Sequence, residues 1–203
     1  MIDFVALDFE TANRSPASAC AVGMVRVRDG KMIDRDSFLI RPPSGHDEFV
    51  PFNVQLHGIS RERVSHAPQW SEALERITGF VSDDVLVAHN AGFDVGVLVA
   101  ATRASKLAVP GLRYFCSLRL ARRGYQLQSY RLPLAAMEAG YELKNHHDPL
   151  EDAEACAAIV IDVARRYEIS DLTELSRKTG VFIREVEPED TDALQALERK
   201  ATF

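Results

Sequence analysis

Two acidic residues at the end of an apolar stretch are the first side chains that could do chemistry. Asp8 and Glu10 lie two residues apart in MIDFVALDFE, whose short apolar run indicates a buried strand. Because side chains alternate across a strand, we expect both carboxylates on one face and Phe9 on the other. Two like charges there are costly unless a cation binds them, and carboxylate oxygens suit Mg²⁺ or Mn²⁺.

A second acid stands at the start of a predicted helix in VAHNAGFDVGVLV. Asn90 is a good N-cap residue, which would make Asp94 the fourth residue of the helix. The field of the helix N-terminus would keep that carboxylate ionised. In the alternative interpretation Asp94 only complements the helix dipole, and His89 and Asn90 orient the loop without touching a substrate.

The stretch NHHDPLEDAEA carries the signature of another helix start. Asp148 is the expected N-cap, Pro149 the first helical residue and Glu151 the third, as in a capping box. Asp152 then becomes the fourth residue of this helix, the position analogous to that of Asp94.

The same assignment separates the two adjacent histidines. The residue before an N-cap and the fourth helical residue are positions whose side chains meet. We therefore expect His147 to neighbour Asp152 and His146 to point elsewhere.

Four carboxylates that converge on one point would repel strongly at modest dielectric. Two divalent ions about 4 Å apart would neutralise them and stabilise both the attacking and the leaving oxygen of a phosphodiester. A histidine has the pKa range to accept a proton from the attacking water, and His147 is the candidate base. The chemistry predicted from the residues is metal-assisted phosphodiester hydrolysis.

The charge distribution favours a nucleic-acid substrate despite a net charge of −6. Residues 95–137 contain no acid and seven basic residues, so this window is +7 and the remainder −13. We expect Arg122 and Arg123 to bind the strand, although a solvated basic face is the alternative. Four aromatic residues among these cations could stack on bases: Tyr114, Phe115, Tyr125 and Tyr130.

The elements that must position these residues follow an α/β plan. Three meander strands, the second and third joined at Asp29-Gly30, precede alternating strands and helices, which predicts a mixed sheet. We expect a catalytic domain over 1–167 and a helical appendage of unknown role over 168–203. The N-terminus has no basic leader, so we expect a soluble cytoplasmic protein. Without a CxxC pair, the three cysteines are expected to be free thiols.

Three segments together resemble a known family. LDFET, HNAGFD and HHDPLEDA look like the three motifs of the DEDDh branch of the DnaQ-like 3'-5' exonucleases, which includes a proofreading subunit of bacterial DNA polymerase III. The resemblance covers about residues 3–167 in the right order. It implies a ribonuclease H-like fold with a mixed five-stranded sheet and helices on both faces.

The resemblance also implies roles for particular residues. The two metal ions would be held by Asp8, Glu10, Asp94 and Asp152, with His147 as general base. Contacts to the terminal nucleotide are expected from Phe9, Thr11, His57, Ile59, Asn90 and Phe93. The loop after the first motif reads Ala12-Asn13 where the family more often has Thr-Gly.

The expected activity is removal of nucleoside 5'-monophosphates from single-stranded or frayed DNA 3' ends. The expected role is proofreading or repair, with a polymerase or another replication or repair protein as the candidate partner. The same chemistry on RNA or oligoribonucleotides is a close alternative, because 2'-OH recognition cannot be read from sequence. A non-catalytic binding or polymerase-docking module would have lost a motif acid, and none is missing. A zinc site from His57, His89, His146 or His147 matches no closed zinc spacing.

Overall fold

The computed structural model describes residues 2–189 and places six strands and seven helices in them. The strands are β1 (Phe4–Thr11), β2 (Ala19–Arg28), β3 (Lys31–Leu39), β4 (Leu86–Ala88), β5 (Leu112–Cys116) and β6 (Arg184–Val186). The helices are α1 (Pro51–His57), α2 (Trp70–Val81), α3 (Gly92–Ala104), α4 (Ser117–Gly124), α5 (Leu132–Glu138), α6 (Pro149–Arg166) and α7 (Leu172–Thr179).

All six strands form one mixed sheet with the order β3-β2-β1-β4-β5-β6. The first three strands are antiparallel neighbours, β1, β4 and β5 run parallel, and β6 returns antiparallel to β5. The predicted α/β plan is confirmed, but the prediction of five strands is wrong. The sixth strand comes from the segment after 167, which the family resemblance does not cover.

The alternation of side chains along β1 divides the core into two layers. Phe4 and Ala6 face a cluster that includes residues of α4, α5, α6 and α7. Val5, Leu7 and Phe9 face the opposite cluster, which is built on α2 and α3. Because period two continues to the strand end, Asp8 and Glu10 point toward the α6 side.

Helix α6 lies directly against the central antiparallel strands because β2 has a glycine at the crossing point. Gly23 pairs with Asp8, and a Cβ at position 23 would lie 2.2 Å from the backbone carbonyl of Pro149. Only a residue without a side chain allows this approach. Gly23 thereby sets how closely the first turn of α6 approaches the acidic end of β1.

Local signals predicted most elements correctly, with one omission. The β2–β3 hairpin turns at Asp29 and Gly30, which both have positive φ. The sequence predicts no helix near Pro51, yet the structure has the short helix α1 there, with Pro51 at its start and Gly58 as a left-handed C-cap. None of the residues of α1 is buried, so the sequence has no apolar periodicity there that would predict a helix.

The C-terminal segment contributes to the same core as the rest of the fold. Leu172, Leu175 and Val181 are buried in the cluster on the α6 side. A domain boundary at 167 stays a prediction, and the charged helical end expected beyond 189 lies outside the described residues.

Among the described residues, no helix has the length and apolar character needed to cross a membrane. The three cysteines are free thiols, with Cys20 and Cys156 buried and Cys116 partly buried.

Replacement of Gly23 by alanine should destabilise the protein by about 1–3 kcal/mol, because the added methyl overlaps the backbone of Pro149. Gly79→Ala is the matched control, since Gly79 lies within α2 with open space around its Cβ position. The control should be stabilising by about 0.5–1 kcal/mol. Urea unfolding of both variants measures the difference, and equal stabilities would contradict the proposed close approach.

Candidate active site

Three carboxylates meet at the end of β1. The ligand atoms of Asp8, Glu10 and Asp152 all lie within 4.8 Å of one another. Asp8 and Glu10 share a face of β1, as the sequence predicted, while Phe9 packs on the other face against Trp70 with ring centroids 5.9 Å apart. Glu10 and Asp152 are almost fully buried, whereas Asp8 keeps partial exposure.

Asp94 reaches the same edge from the opposite layer of helices. Its Oδ1 accepts a hydrogen bond of 3.1 Å from the backbone N–H of Phe9, between the two acids of β1. The expectation that Asn90 caps this helix is wrong, because Ala91 occupies the cap position and Asn90 has a φ of 75°. Asn90 forms the turn out of β4, so Asp94 is the third helical residue and not the fourth.

The start of α6 is built largely as predicted. The Asp148 side chain accepts hydrogen bonds from the backbone N–H groups of Leu150 and Glu151, which confirms the N-cap. The Glu151 carboxylate does not close a capping box on Asp148. It accepts instead from the backbone N–H groups of Lys144 and Asn145, and so ties the preceding loop to the helix.

Both histidines lie beside Asp152, as expected for His147 but not for His146. The Nδ1 atom of His146 lies 3.0 and 3.1 Å from the two carboxylate oxygens of Asp152. His147 contacts Asp152 only through its backbone N–H, at 3.0 Å, and its Nδ1 lies 3.6 Å from Glu10 Oε1. The rings stack with centroids 3.8 Å apart.

The reason for this difference is the backbone of His147, whose φ is 76°. A residue in the left-handed region turns the chain, so the side chain leaves in a direction that an extended residue would not allow. The prediction that His146 points elsewhere is therefore wrong, since both imidazoles face the acidic cluster.

The electrostatics of the cluster are those of a site with excess negative charge. Burial, followed by repulsion from neighbouring acids, raises the pKa of Glu10 to about 8. Burial raises the pKa of Asp94 to about 7 even though two backbone hydrogen bonds oppose the shift. The pKa values of Asp8 and Asp152 are raised as well, with burial as the largest cause. Hydrogen bonds to Asp94 and Asp152 therefore offset only part of the pKa rise that burial and repulsion cause.

Divalent cations fit this donor set. Hard carboxylate oxygens are the ligands that Mg²⁺ and Mn²⁺ prefer, and three of them are close enough to share an ion. His146, His147 and Asp152 form a second group with the same spacing. The raised pKa values indicate that positive charge is needed at this edge, which an ion would supply.

A cavity of about 590 Å³ opens over the carboxylates and could enclose a mononucleotide. The predicted substrate residues that line it are Phe9, Thr11, Asn90, Phe93 and Arg122. Three other predicted contacts do not line it. His57 and Ile59 lie on an adjacent cavity of about 410 Å³, and Arg123 lines neither cavity.

His57 and Ile59 have structural tasks in the position they occupy. Ile59 is buried in a small core beside Cys20. His57 accepts from the Ile59 backbone N–H at Nδ1, which leaves Nε2 to donate to the Thr11 carbonyl at 3.2 Å. Asn53 donates to the same carbonyl at 2.8 Å. Helix α1 therefore supports the loop at the end of β1.

His89 also uses both ring nitrogens inside the protein. Nε2 lies 2.9 Å from the Tyr130 carbonyl and Nδ1 lies 2.9 Å from the Ser117 hydroxyl. Burial lowers the pKa of His89 to about 4, so the ring is neutral near pH 7. Because both ring nitrogens of His57 and of His89 are hydrogen-bonded within the protein, the zinc site considered from sequence loses two of its four candidate ligands.

Some cavity residues were missed from sequence. Helix α1 contributes Asn53 and Leu56, and the α4–α5 connection contributes Ser129 and Arg131. The only sequence signal for α1 was Pro51 followed by Gly58, the residue types that start and end helices.

The aromatic residues of the basic window do not behave as one group. Phe115 and Tyr125 are buried, so the expectation that they stack on bases is wrong. Tyr125 donates its hydroxyl hydrogen to Asp162 at 2.9 Å. Tyr114 and Tyr130 are partly buried and line cavities.

Comparison with known proteins places this site among nucleases. The chain matches the exonuclease family model RNase_T over residues 5–160. It is 30% identical over 189 residues to a PolC-type DNA polymerase III of Caldanaerobacter subterraneus subsp. tengcongensis. That alignment covers 91% of this chain but 13% of the polymerase, so the chain corresponds to a small part of its relative.

Solved structures share the fold. Exonuclease X in complex with 5' overhanging duplex DNA has a TM-score of 0.63 at 24% identity, covering 81% of this chain and 93% of that one. The nuclease domain of 3'hExo, a DEDDh family member bound to rAMP, has a TM-score of 0.69 at 15% identity. The second match covers 91% of this chain and 97% of that one.

The raised pKa values predict the pH dependence of stability without metal. A carboxyl with a higher pKa in the folded state favours folding while protonated, and this advantage is lost as it ionises. In EDTA, the free energy of unfolding should therefore fall as pH rises from about 4.3, the unfolded value, through about 8, the folded pKa of Glu10. Mg²⁺ or Mn²⁺ should raise the melting temperature more at pH 8 than at pH 5.

Glu10→Gln serves as the control for this prediction, because it removes one titrating group and keeps the side-chain size. Its stability should depend less steeply on pH over the same interval. Thermal unfolding from pH 5 to 8.5 measures the stability of both proteins. Identical slopes of stability against pH would show that Glu10 does not contribute to the pH dependence.

Proposed function

The chain belongs to the DnaQ-like DEDDh 3'-5' exonuclease family, and on this premise we propose that it removes nucleoside 5'-monophosphates from single-stranded or frayed DNA 3' ends. The observation that carries the proposal is the group of Asp8, Glu10 and Asp152 at the floor of a nucleotide-sized cavity. Asp94 adjoins this group through its hydrogen bond to the strand that bears the first two acids.

We propose that these four carboxylates hold two divalent ions. When bound, such ions neutralise the scissile phosphate and promote ionisation of the attacking water. The protein fixes the donors on rigid elements: Asp8 and Glu10 on the central strand, Asp94 on α3 and Asp152 on α6. Rigid placement matters because phosphodiester hydrolysis depends on alignment of the nucleophile with the leaving oxygen.

His147 is the proposed general base. Its ring borders the cavity, and burial together with the neighbouring His146 lowers its pKa. A lowered pKa leaves the imidazole unprotonated near neutral pH, as a base that accepts a proton must be. His146 is proposed as a positioning residue, since its Nδ1 contacts both oxygens of Asp152 and so orients that carboxylate.

The walls of the cavity suit a terminal nucleotide. Phe93 and Leu56 are partly exposed apolar side chains that line the cavity and could contact a base. Phe9 and Thr11 lie beside the acids, and Arg122 is available for a phosphate. His57 and Ile59 would act on the substrate through the loop that they support, and Arg123 through long-range attraction.

The biological setting is proposed from the relatives. The similarity to a PolC-type polymerase favours DNA over RNA and suggests proofreading or repair, with a polymerase or another replication protein as partner. Three free thiols agree with a reducing compartment such as the cytoplasm.

A direct test uses 5'-labelled single-stranded DNA and RNA of one sequence with Mg²⁺ or Mn²⁺. DNA should give a ladder shortened from the 3' end, EDTA should abolish it, and RNA should be degraded more slowly. Asp152→Asn, which keeps the side-chain size, should lower the rate by about 10³-fold or more, as for other members of a catalytic unit. Full activity of Asp152→Asn would exclude the proposed site, and faster RNA degradation would reverse the substrate assignment.

The two histidines can be distinguished by their pH profiles. His147→Ala should lower kcat by about 10²- to 10⁴-fold and remove the acidic limb of the pH–rate profile, because that limb reports the base. His146→Ala should cost about 10- to 100-fold and keep the limb, as expected for a group that orients a ligand. Loss of the limb in His146→Ala alone would assign the base to His146.

A further inference from the structure

A third cavity, smaller than the two already described, adjoins the nucleotide-sized one. Its volume is about 110 Å³, and Asn90 lines both cavities, so the two share a wall. We call the smaller one the side groove; it is lined by Asn90, Ala91, Gly92, Tyr114, Cys116, Arg119, Phe182 and Arg184. It is well below the roughly 300 Å³ of pockets that enclose drug-sized ligands. A phosphate group fits this space, whereas a whole nucleotide does not.

The two arginines of the side groove have no acidic partner among the described residues. Arg119 and Arg184 are exposed, and neither forms an ion pair within residues 2–189. Several other arginines of the fold are paired with acids, as are Arg76 with Asp36 and Arg103 with Glu189. Two unpaired guanidinium groups that line one groove are suited to a phosphodiester backbone.

The groove also continues a row of cations that begins at the site. Arg119 and Arg122 are three residues apart on α4, so they lie on neighbouring parts of one helix surface. Arg122 lines the large cavity together with Arg131, and Arg119 lines the side groove together with Arg184. The adjacent acid Glu185 lies on the other side of β6 and lines a different cavity. The row therefore leads from the carboxylates across α4 to β6.

An aromatic ring stands at the far end of this row. Phe182 is 73% exposed, the largest exposed fraction among the large apolar side chains of residues 2–189, and it lines the groove. An exposed phenyl ring beside two cations offers a base a stacking surface while its phosphate is neutralised. Phe182 and Arg184 lie beyond residues 5–160, the part that matches the family model.

We propose that the side groove binds the nucleic-acid strand on the 5' side of the nucleotide being removed, with a phosphate between Arg119 and Arg184 and a base on Phe182. This inference rests on the proposed function and extends it, because it assigns a role to the segment after α7. The groove would increase affinity for long strands and leave the chemistry at the carboxylates unchanged.

The test compares a strand of about 16 nucleotides, the upper end of the site size of single-strand-binding folds, with a dinucleotide, whose single phosphate lies at the carboxylates and leaves none for the side groove. Arg119→Ala/Arg184→Ala should weaken binding of the long strand and reduce the slope of log Kd against log salt by about 1.4. Phe182→Ala should raise its Kd by about 5- to 100-fold. Hydrolysis of the dinucleotide should be unchanged in both variants.

The control removes the same charge elsewhere. Arg177 and Lys178 are exposed on α7 and line none of these cavities, so Arg177→Ala/Lys178→Ala should leave the salt slope nearly unchanged. Binding is measured in EDTA by fluorescence anisotropy, so the groove is tested even if hydrolysis fails. Unchanged long-strand affinity in the groove variants would overturn the inference and favour an acidic protein partner. An equal loss of long-strand affinity in the control variant, or an equal loss with the dinucleotide, would overturn it as well.

Discussion

The mutual repulsion of carboxylates held at one edge of the sheet is the constraint on which the rest of the structure depends. Asp8, Glu10 and Asp152 are within 4.8 Å of one another, and Asp94 is hydrogen-bonded to the same strand. Their raised pKa values indicate that the hydrogen bonds to Asp94 and Asp152 do not balance burial and repulsion. The fold must therefore be stable enough to hold ionised carboxylates in an arrangement that protonation or a bound cation would make more favourable.

That stability comes from elements that pack tightly around the end of β1. Both faces of the strand are covered by large apolar clusters, and α6 approaches the sheet so closely that position 23 admits only glycine. A deep core behind a strained polar edge is the usual arrangement of an active site, because rigid elements hold the reacting groups against their own repulsion. The same packing fixes Asp152 relative to Asp8, a distance that a loop would not maintain.

The opposite charges are placed at a distance from this edge, on the surface that a polyanion would follow. Acids predominate in most of the chain, while the cations of residues 95–137 lie outside the carboxylate cluster, with Arg122 and Arg131 at the cavity. Separation prevents the arginines from neutralising the carboxylates directly, which would compete with metal binding. In the proposed function, a phosphate backbone is attracted to the arginines while its terminal phosphate reaches the proposed metal-binding edge.

The sequence alone determined the features that depend on neighbours along the chain. Strand periodicity placed Asp8 and Glu10 on one face, Asp29-Gly30 marked the hairpin, and Asp148-Pro149 started α6. Tertiary structure decided the rest: the direction of the two histidines, the reach of Asp94 across the sheet edge, the addition of β6 and the choice of arginines at the cavity. These features depend on a single positive φ at His147 or on contacts between residues far apart in sequence. Neither leaves a periodic signal, because local propensity specifies an element but not which other element it meets.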